Sequence, residues 1–173
     1  MNPHRSPHPR PPAPRANELL AELHAVYRDA DRLYAGWSCP SSTECCRFGM
    51  TGREPYLTSI ELGAVRKAVG ARGGMRSWKA APPAADPTWG ARKVVLPVVR
   101  DERTCPLLDA AGRCAVYQAR PLGCRTFFCD RAEPGARVKQ PELNALVRRI
   151  QAIAERHEPG GERGRPLTRA LLG

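Results

Sequence analysis

Seven cysteines stand in two groups, Cys39-x5-Cys45-Cys46 and, after a gap of 58 residues, Cys105-x8-Cys114-x9-Cys124-x4-Cys129. Thiolate sulfur is the soft donor that holds zinc tetrahedrally or anchors an iron-sulfur cluster, and four such donors complete either site. The second group alone supplies four. Adjacent side chains diverge by about 100° on a helix and alternate on a strand, so Cys45 and Cys46 reach one ion only from irregular backbone or share a polynuclear centre. The spacing does not choose the metal, because neither the paired Cys-x2-Cys of a zinc ribbon nor the short-spaced runs of ferredoxins occur. A single buried cysteine is commonly just a small hydrophobe, whereas seven in turn-rich sequence point to coordination. The disulfide reading leaves one thiol over and requires an oxidising compartment. The expected ligands are therefore Cys39, Cys45, Cys46, Cys105, Cys114, Cys124 and Cys129, and the expected cofactor is zinc or iron, the iron in ionic form or as an iron-sulfur cluster.

Charge bears on the same region. The chain of 173 residues carries 28 Lys and Arg against 17 Asp and Glu, a net charge of +11. Residues 47–131 hold fifteen of the basic and seven of the acidic groups. Positive charge of this size attracts nucleic acid by releasing condensed counterions. It also offsets thiolates: Arg103, Arg113, Arg125 and Arg131 lie within two residues of a cysteine, and Arg120 precedes Cys124 by four. The 24 Arg against 4 Lys also reflect a general composition bias.

The scaffold must come from a chain with 18 Pro and 15 Gly, which favours a modest, loop-rich core. Residues 1–15 read as a disordered Pro/Arg-rich arm without the apolar stretch of a secretory signal. The longest apolar run, Val94 to Val99, has six residues, far short of the roughly 20 that cross a bilayer; no membrane span and a cytoplasmic location are expected. From Asn17, a candidate cap, Leu19, Leu23, Val26, Tyr27, Ala30 and Leu33 recur at helical spacing and predict a helix ending near Gly36. Cys39, Cys45 and Cys46 are assigned to a loop. Thr58 and Glu61 form a capping box, with Leu57 facing Leu62, for a helix from about Ser59 to Val69 that stops at Gly70. Residues 71–92, with Trp78 and Trp89, form a long loop or insertion, and Lys93 to Val99 an edge strand. A hairpin turning at Asp109 to Gly112 carries Cys105 and Cys114 on its two arms. Cys124 to Cys129 is too short for an element of its own. A last helix starts at Pro141 and ends near His157, followed by an Arg/Gly-rich tail, 158–173, in which Leu167, Leu171 and Leu172 can dock as a final turn.

Within this framework the Arg120-Pro121 step turns the chain so that Cys124 returns toward the hairpin. Arg120 is then placed to pair with a thiolate or with an acid such as Asp109 or Asp130. Tyr117 and Phe127 are expected to keep water from the metal. None of the four histidines is a ligand candidate, and no phosphate-binding loop, His-Glu-x-x-His, Gly-x-Ser-x-Gly or dinucleotide fingerprint occurs.

Cys39-x5-Cys45-Cys46-Arg47-Phe48, the Thr58 to Glu61 helix start, Cys105-Pro106-Leu107-Leu108, Gly112-Arg113-Cys114-x2-Tyr117-x2-Arg120-Pro121 and Cys124-Arg125-x-Phe127 together resemble the YkgJ-type cysteine-cluster family. That family is described as zinc- or iron-chelating. The resemblance spans about residues 37–130. It implies that both cysteine groups meet at one metal-binding region, with Cys39, Cys45, Cys46, Cys105, Cys114 and Cys124 matching its pattern. Many members carry a Cys-x2-Cys before the double cysteine; here Ser42 stands in its second place, and Cys129 would make up the donor. A flagellin lysine-N-methylase branch belongs to the family, but the sequence shows no glycine-rich methyl-donor loop. The expected fold is α+β and mostly helical: a single metal-centred domain over 16–157, with three or more helices, a short β-hairpin and irregular cysteine-bearing loops. The expected function is metal binding through the cysteine cluster. Its rivals are an iron-sulfur or thiol redox, or protein-modifying, enzyme and a basic zinc-dependent nucleic-acid-binding protein.

Overall fold

Three amphipathic helices build the framework of the computed structural model, which describes residues 16–35, 43–75, 104–126 and 139–172. Helix α1, Ala16–Leu33, buries Leu19, Leu23, Val26, Tyr27 and Ala30, one stripe at spacings of three and four. It starts two residues before the position that an Asn17 cap implies, so Asn17 lies in the first turn and does not cap it. Next come a 3-10 turn, Glu44–Cys46, and helix α2, Phe48–Thr51. Strand β1, Tyr56–Leu57, leads into helix α3, Ser59–Ala71, which runs one residue past Gly70. A second 3-10 turn, Tyr117–Ala119, precedes helix α4, Leu122–Arg125. Helix α5, Gln140–His157, has Pro141 in its first turn, the place where a missing N–H costs nothing. Strand β2, Arg165–Pro166, and helix α6, Leu167–Leu172, follow. The fold is thus mostly helical with a minor β component.

Helix α1 packs on α5, and α3 packs on both. Leu19, Leu23, Val26, Ile60, Ala64, Leu146, Ile150 and Ile153 meet in one apolar cluster, each large side chain contributing about 1.5–3 kcal/mol by leaving water. A second cluster gathers Phe48, Leu57, Leu62, Val65, Cys105, Leu107, Val116, Leu167 and Ala170. Helix α3 is the wall between them: Ile60 and Ala64 face the first, Leu62 and Val65 the second. That is why its first two turns are buried nearly all round, Glu61 included. The capping box forms as expected, with the Thr58 N–H and hydroxyl donating to Glu61 Oε2 at 3.0 and 2.9 Å.

Residues read as a tail complete the second cluster. β2 pairs antiparallel with β1, Tyr56 opposite Pro166 and Leu57 opposite Arg165. Leu167 and Ala170 are buried whereas Leu172 stays exposed, so only part of the anticipated final turn docks. Glu54 Oε1 accepts from the N–H and hydroxyl of Thr168, fixing the start of α6. Gly161 closes the join: its carbonyl accepts from the Ser59 N–H at 2.9 Å. A Cβ there would lie 2.2 Å from Ser59 Oγ and 2.7 Å from the Ala154 carbonyl oxygen. Gly161→Ala is therefore expected to cost about 1–3 kcal/mol, read as a lower urea midpoint with an unchanged slope.

Among the described residues no helix is long and apolar enough to cross a membrane. The arm 1–15, Cys39, Cys129, Trp78, Trp89, Phe127, Asp130, most of the 71–92 segment and the Lys93 to Val99 strand lie outside the described residues.

Candidate metal centre

Four short devices bring the cysteines together. Thr43, at φ 55°, takes the left-handed conformation that β-branched residues resist and opens the 3-10 turn carrying Cys45 and Cys46. The expected irregular loop is thus two single helical turns, 44–46 and 48–51. A bridge between Arg47 and Thr104, reinforced by the Cys105 N–H donating to the Cys46 carbonyl at 2.8 Å, joins the first cysteine group to the second across their long gap. The anticipated hairpin reduces to a turn closed by one isolated bridge, with no strand on either side: Cys114 lies in the bridge, whereas Cys105 bonds Cys46 instead. Leu108 pairs with Cys114, the Asp109 N–H donates to the Arg113 carbonyl at 2.8 Å, and Gly112 turns at φ 73°.

The fourth device is α4, which corrects the reading of Cys124 as lying outside any element. Pro121 caps it, and its carbonyl accepts from the Cys124 N–H at 2.9 Å. Buried Glu61 anchors this turn from α3: Oε1 accepts from the Leu122 N–H at 2.8 Å and from the Tyr27 hydroxyl at 3.3 Å. At the other end of the turn, Arg125 donates to both carboxylate oxygens of Asp31 at 2.9 Å and to the Arg120 carbonyl at 2.8 Å, and its guanidinium lies over the Tyr27 ring. Arg125, expected to offset thiolate charge, instead clamps α4 to α1. At Gly123, a Cβ would come within 2.9 Å of Pro55 Cβ, so α4 approaches the chain before β1 closely.

All five described cysteines, Cys45, Cys46, Cys105, Cys114 and Cys124, line one cavity of about 380 Å³. Its wall also includes Asp109, Tyr117 and three arginines, Arg72, Arg113 and Arg120. Arg72 was hidden in the segment read as a loop; it caps α3 and reaches the Ala115 carbonyl. Arg120 donates to the Tyr117 carbonyl at 3.0 Å and stacks on the Tyr117 ring at 3.5 Å. Its partners are thus the Tyr117 carbonyl and ring, in place of the expected thiolate or acid, and from this half-buried position its charge favours the ionised forms of Cys45, Cys114 and Cys124 only as a minor influence. His24 rests beside Tyr27 and His157 bonds Ser59 Oγ, both away from this wall.

Four of the thiols are held in the protonated form. Cys45 is raised first by its hydrogen bond with Cys46, and Cys46 is pushed up to about 12, chiefly by its hydrogen bond with Cys105. Burial raises Cys114 and Cys124. Protonated sulfurs contact one another in pairs, and among the described residues no three His, Cys, Asp or Glu side chains stand close enough to hold a metal ion as they are. One pair has the spacing of two donors to a single thiophilic ion. Cys45 Sγ and Cys46 Sγ are 3.9 Å apart, and zinc-sulfur bonds of about 2.3 Å put the sulfurs of one tetrahedral ion about 3.8 Å apart. The 3-10 turn thereby removes the divergence expected of adjacent cysteines.

No family model, curated protein or solved structure matches the chain.

Proposed function

We propose that this is a cytoplasmic metal-binding protein of the cysteine-cluster kind, taking zinc or iron into the thiol-lined cavity. The observation that carries the reading is the convergence on one cavity of five cysteines from two groups far apart in sequence. The resemblance of the same motifs to the YkgJ-type family points the same way. Cys45, Cys46, Cys105, Cys114 and Cys124 would hold the metal, with Cys39 and Cys129 the further candidates from sequence. When bound, it would supply a cross-link between the 43–47 turn, the hairpin and α4. Arg120 lowers the cost of gathering thiolates in one place, and the apolar wall around Phe48 and Leu107 limits the entry of water.

Anaerobic purification followed by metal analysis and a visible spectrum tests this. About stoichiometric zinc or iron is expected, retained through gel filtration and largely lost in Cys124→Ser. A protein that is isolated without metal and takes up neither ion at micromolar concentration would overturn the reading.

The raised thiol pKa values give a pH signature. Below the ordinary thiol pKa of about 8.5, both folded and unfolded thiols are protonated, and the contribution of their burial is fully present. As pH rises past that value the unfolded chain ionises first, so the metal-free fold is expected to weaken between about pH 8.5 and the raised folded values. Metal binding has the opposite sign, because each bound thiolate must release its proton. Apparent affinity is expected to climb about tenfold per pH unit for each proton displaced between pH 6 and 8. Urea titrations of chelated protein and competition titrations with a chromophoric chelator measure the two slopes.

A further inference from the structure

Two of the cavity's cysteines are placed to react with each other. Arg47 and Thr104 form an antiparallel bridge, and in that register the next residues to face one another are Cys46 and Cys105. Their backbones are tied directly: the Cys105 N–H donates to the Cys46 carbonyl at 2.8 Å. Residues opposed in this way have Cα atoms about 4.5–5.5 Å apart, inside the span of about 4.4–6.8 Å that a disulfide bridges. Both also line the same cavity. Among the described residues no other pair of cysteines is opposed across a bridge. Cys45 Sγ lies 3.9 Å from Cys46 Sγ, but neighbouring Cα atoms joined by a trans peptide are only about 3.8 Å apart, short of the disulfide span. Cys114 faces Leu108, and Cys124 sits on α4.

We infer that Cys46 and Cys105 form a reversible disulfide by exchange with a small-molecule disulfide of the glutathione class. Cys46 is half-buried and Cys105 only 7% exposed, so Cys46 meets the reagent first. Its sulfur attacks one sulfur of the small disulfide, whose S–S bond breaks, and one glutathione leaves as a thiol with the proton. The Cys105 sulfur then attacks Cys46 Sγ in the mixed disulfide and expels the second glutathione in the same way. Two protein thiols are oxidised and one small disulfide is reduced to two thiols, so no further oxidant enters. The bond fastens the 44–46 turn to the second cysteine group across their 58-residue gap. It engages two of the sulfurs proposed above as metal donors, yet its formation does not depend on whether the cavity takes an ion.

The test is incubation of the full-length, chelator-treated protein with oxidised glutathione, alkylation of the remaining thiols and tryptic mapping by mass spectrometry without reduction. The wild type is expected to lose two of its seven alkylatable thiols, to yield the peptide ending at Arg47 joined to the peptide 104–113, and to regain both thiols in excess reduced glutathione. Cys46→Ser and Cys105→Ser are each expected to lose this bond. Cys45→Ser and the double variant Cys39→Ser/Cys129→Ser are expected to keep it, which singles out Cys46 within its peptide. A principal disulfide between any other cysteines, glutathione adducts without an internal bond, or seven thiols left free overturns the inference. Metal analysis of the reduced protein decides the metal-binding reading separately. If Cys46→Ser does not fold, fragmentation of the joined wild-type peptides identifies the bonded sulfurs.

Discussion

Removing metal from the loaded protein with a chelator is expected to lower its melting temperature by about 20–40 °C. Structural thiolate sites contribute on the order of 10 kcal/mol to folding, and in a chain of this size each kcal/mol moves the melting temperature by about 2–4 °C. The effect is large because the segments that carry the cysteines are short. The 3-10 turn at 44–46, α2 and α4 span three or four residues each, too short to persist alone. One isolated β-bridge, Arg47 with Thr104, ties the first cysteine group to the second, and another, Leu108 with Cys114, closes the turn between Cys105 and Cys114. The α1, α3 and α5 framework has its own apolar cluster and should keep part of its helical signal after chelation. Scanning calorimetry and circular dichroism with and without chelator measure both changes. An unchanged melting curve on metal removal would sink the metal-centred account.

Glu61→Ala is expected to destabilise the protein by about 3–5 kcal/mol even without metal. Glu61 is only 3% exposed, and its two oxygens accept from the Tyr27 hydroxyl, the Thr58 N–H and hydroxyl, and the Leu122 N–H. Alanine leaves those donors buried without their acceptor, and each such group costs about 1–3 kcal/mol when it is not resatisfied. Glu61→Gln keeps an acceptor oxygen but turns an amide N–H₂ toward donors, so it should fall between wild type and alanine. Urea denaturation of chelated protein gives the stability change. Since Glu61 also holds the first turn of α4, metal affinity should fall in parallel. A Glu61→Ala protein within 1 kcal/mol of wild type would show that α4 is anchored by something else.

The helices were legible because their signals are local. Leu19 to Ala30 and Leu146 to Ile153 repeat at helical intervals, and Thr58 with Glu61 marks a helix start within four residues. The turn around Asp109 was legible for the same reason, through its residue types. What escaped were roles fixed by distant partners. Glu61 looked like a cap and nothing more, yet its second oxygen reaches residue 122. Arg125 looked like a neighbour of Cys124, but its partner Asp31 lies 94 residues away. Arg72 joined the cavity wall only because α3 packs beside the hairpin. At the candidate site, cysteine type and count were plain in the sequence, while the contact between Cys45 and Cys46 depended on a 3-10 turn that composition alone does not announce.

The placement of α6 sets an order of events during synthesis. Every sulfur is translated before Leu167 and Ala170, which complete the apolar backing behind Cys105 and Phe48. On the ribosome the thiols therefore emerge while that backing is still missing, open to ions and oxidants alike. Capture of an ion at that stage would staple the nascent turns early and leave the closing helix to seal an already filled chamber.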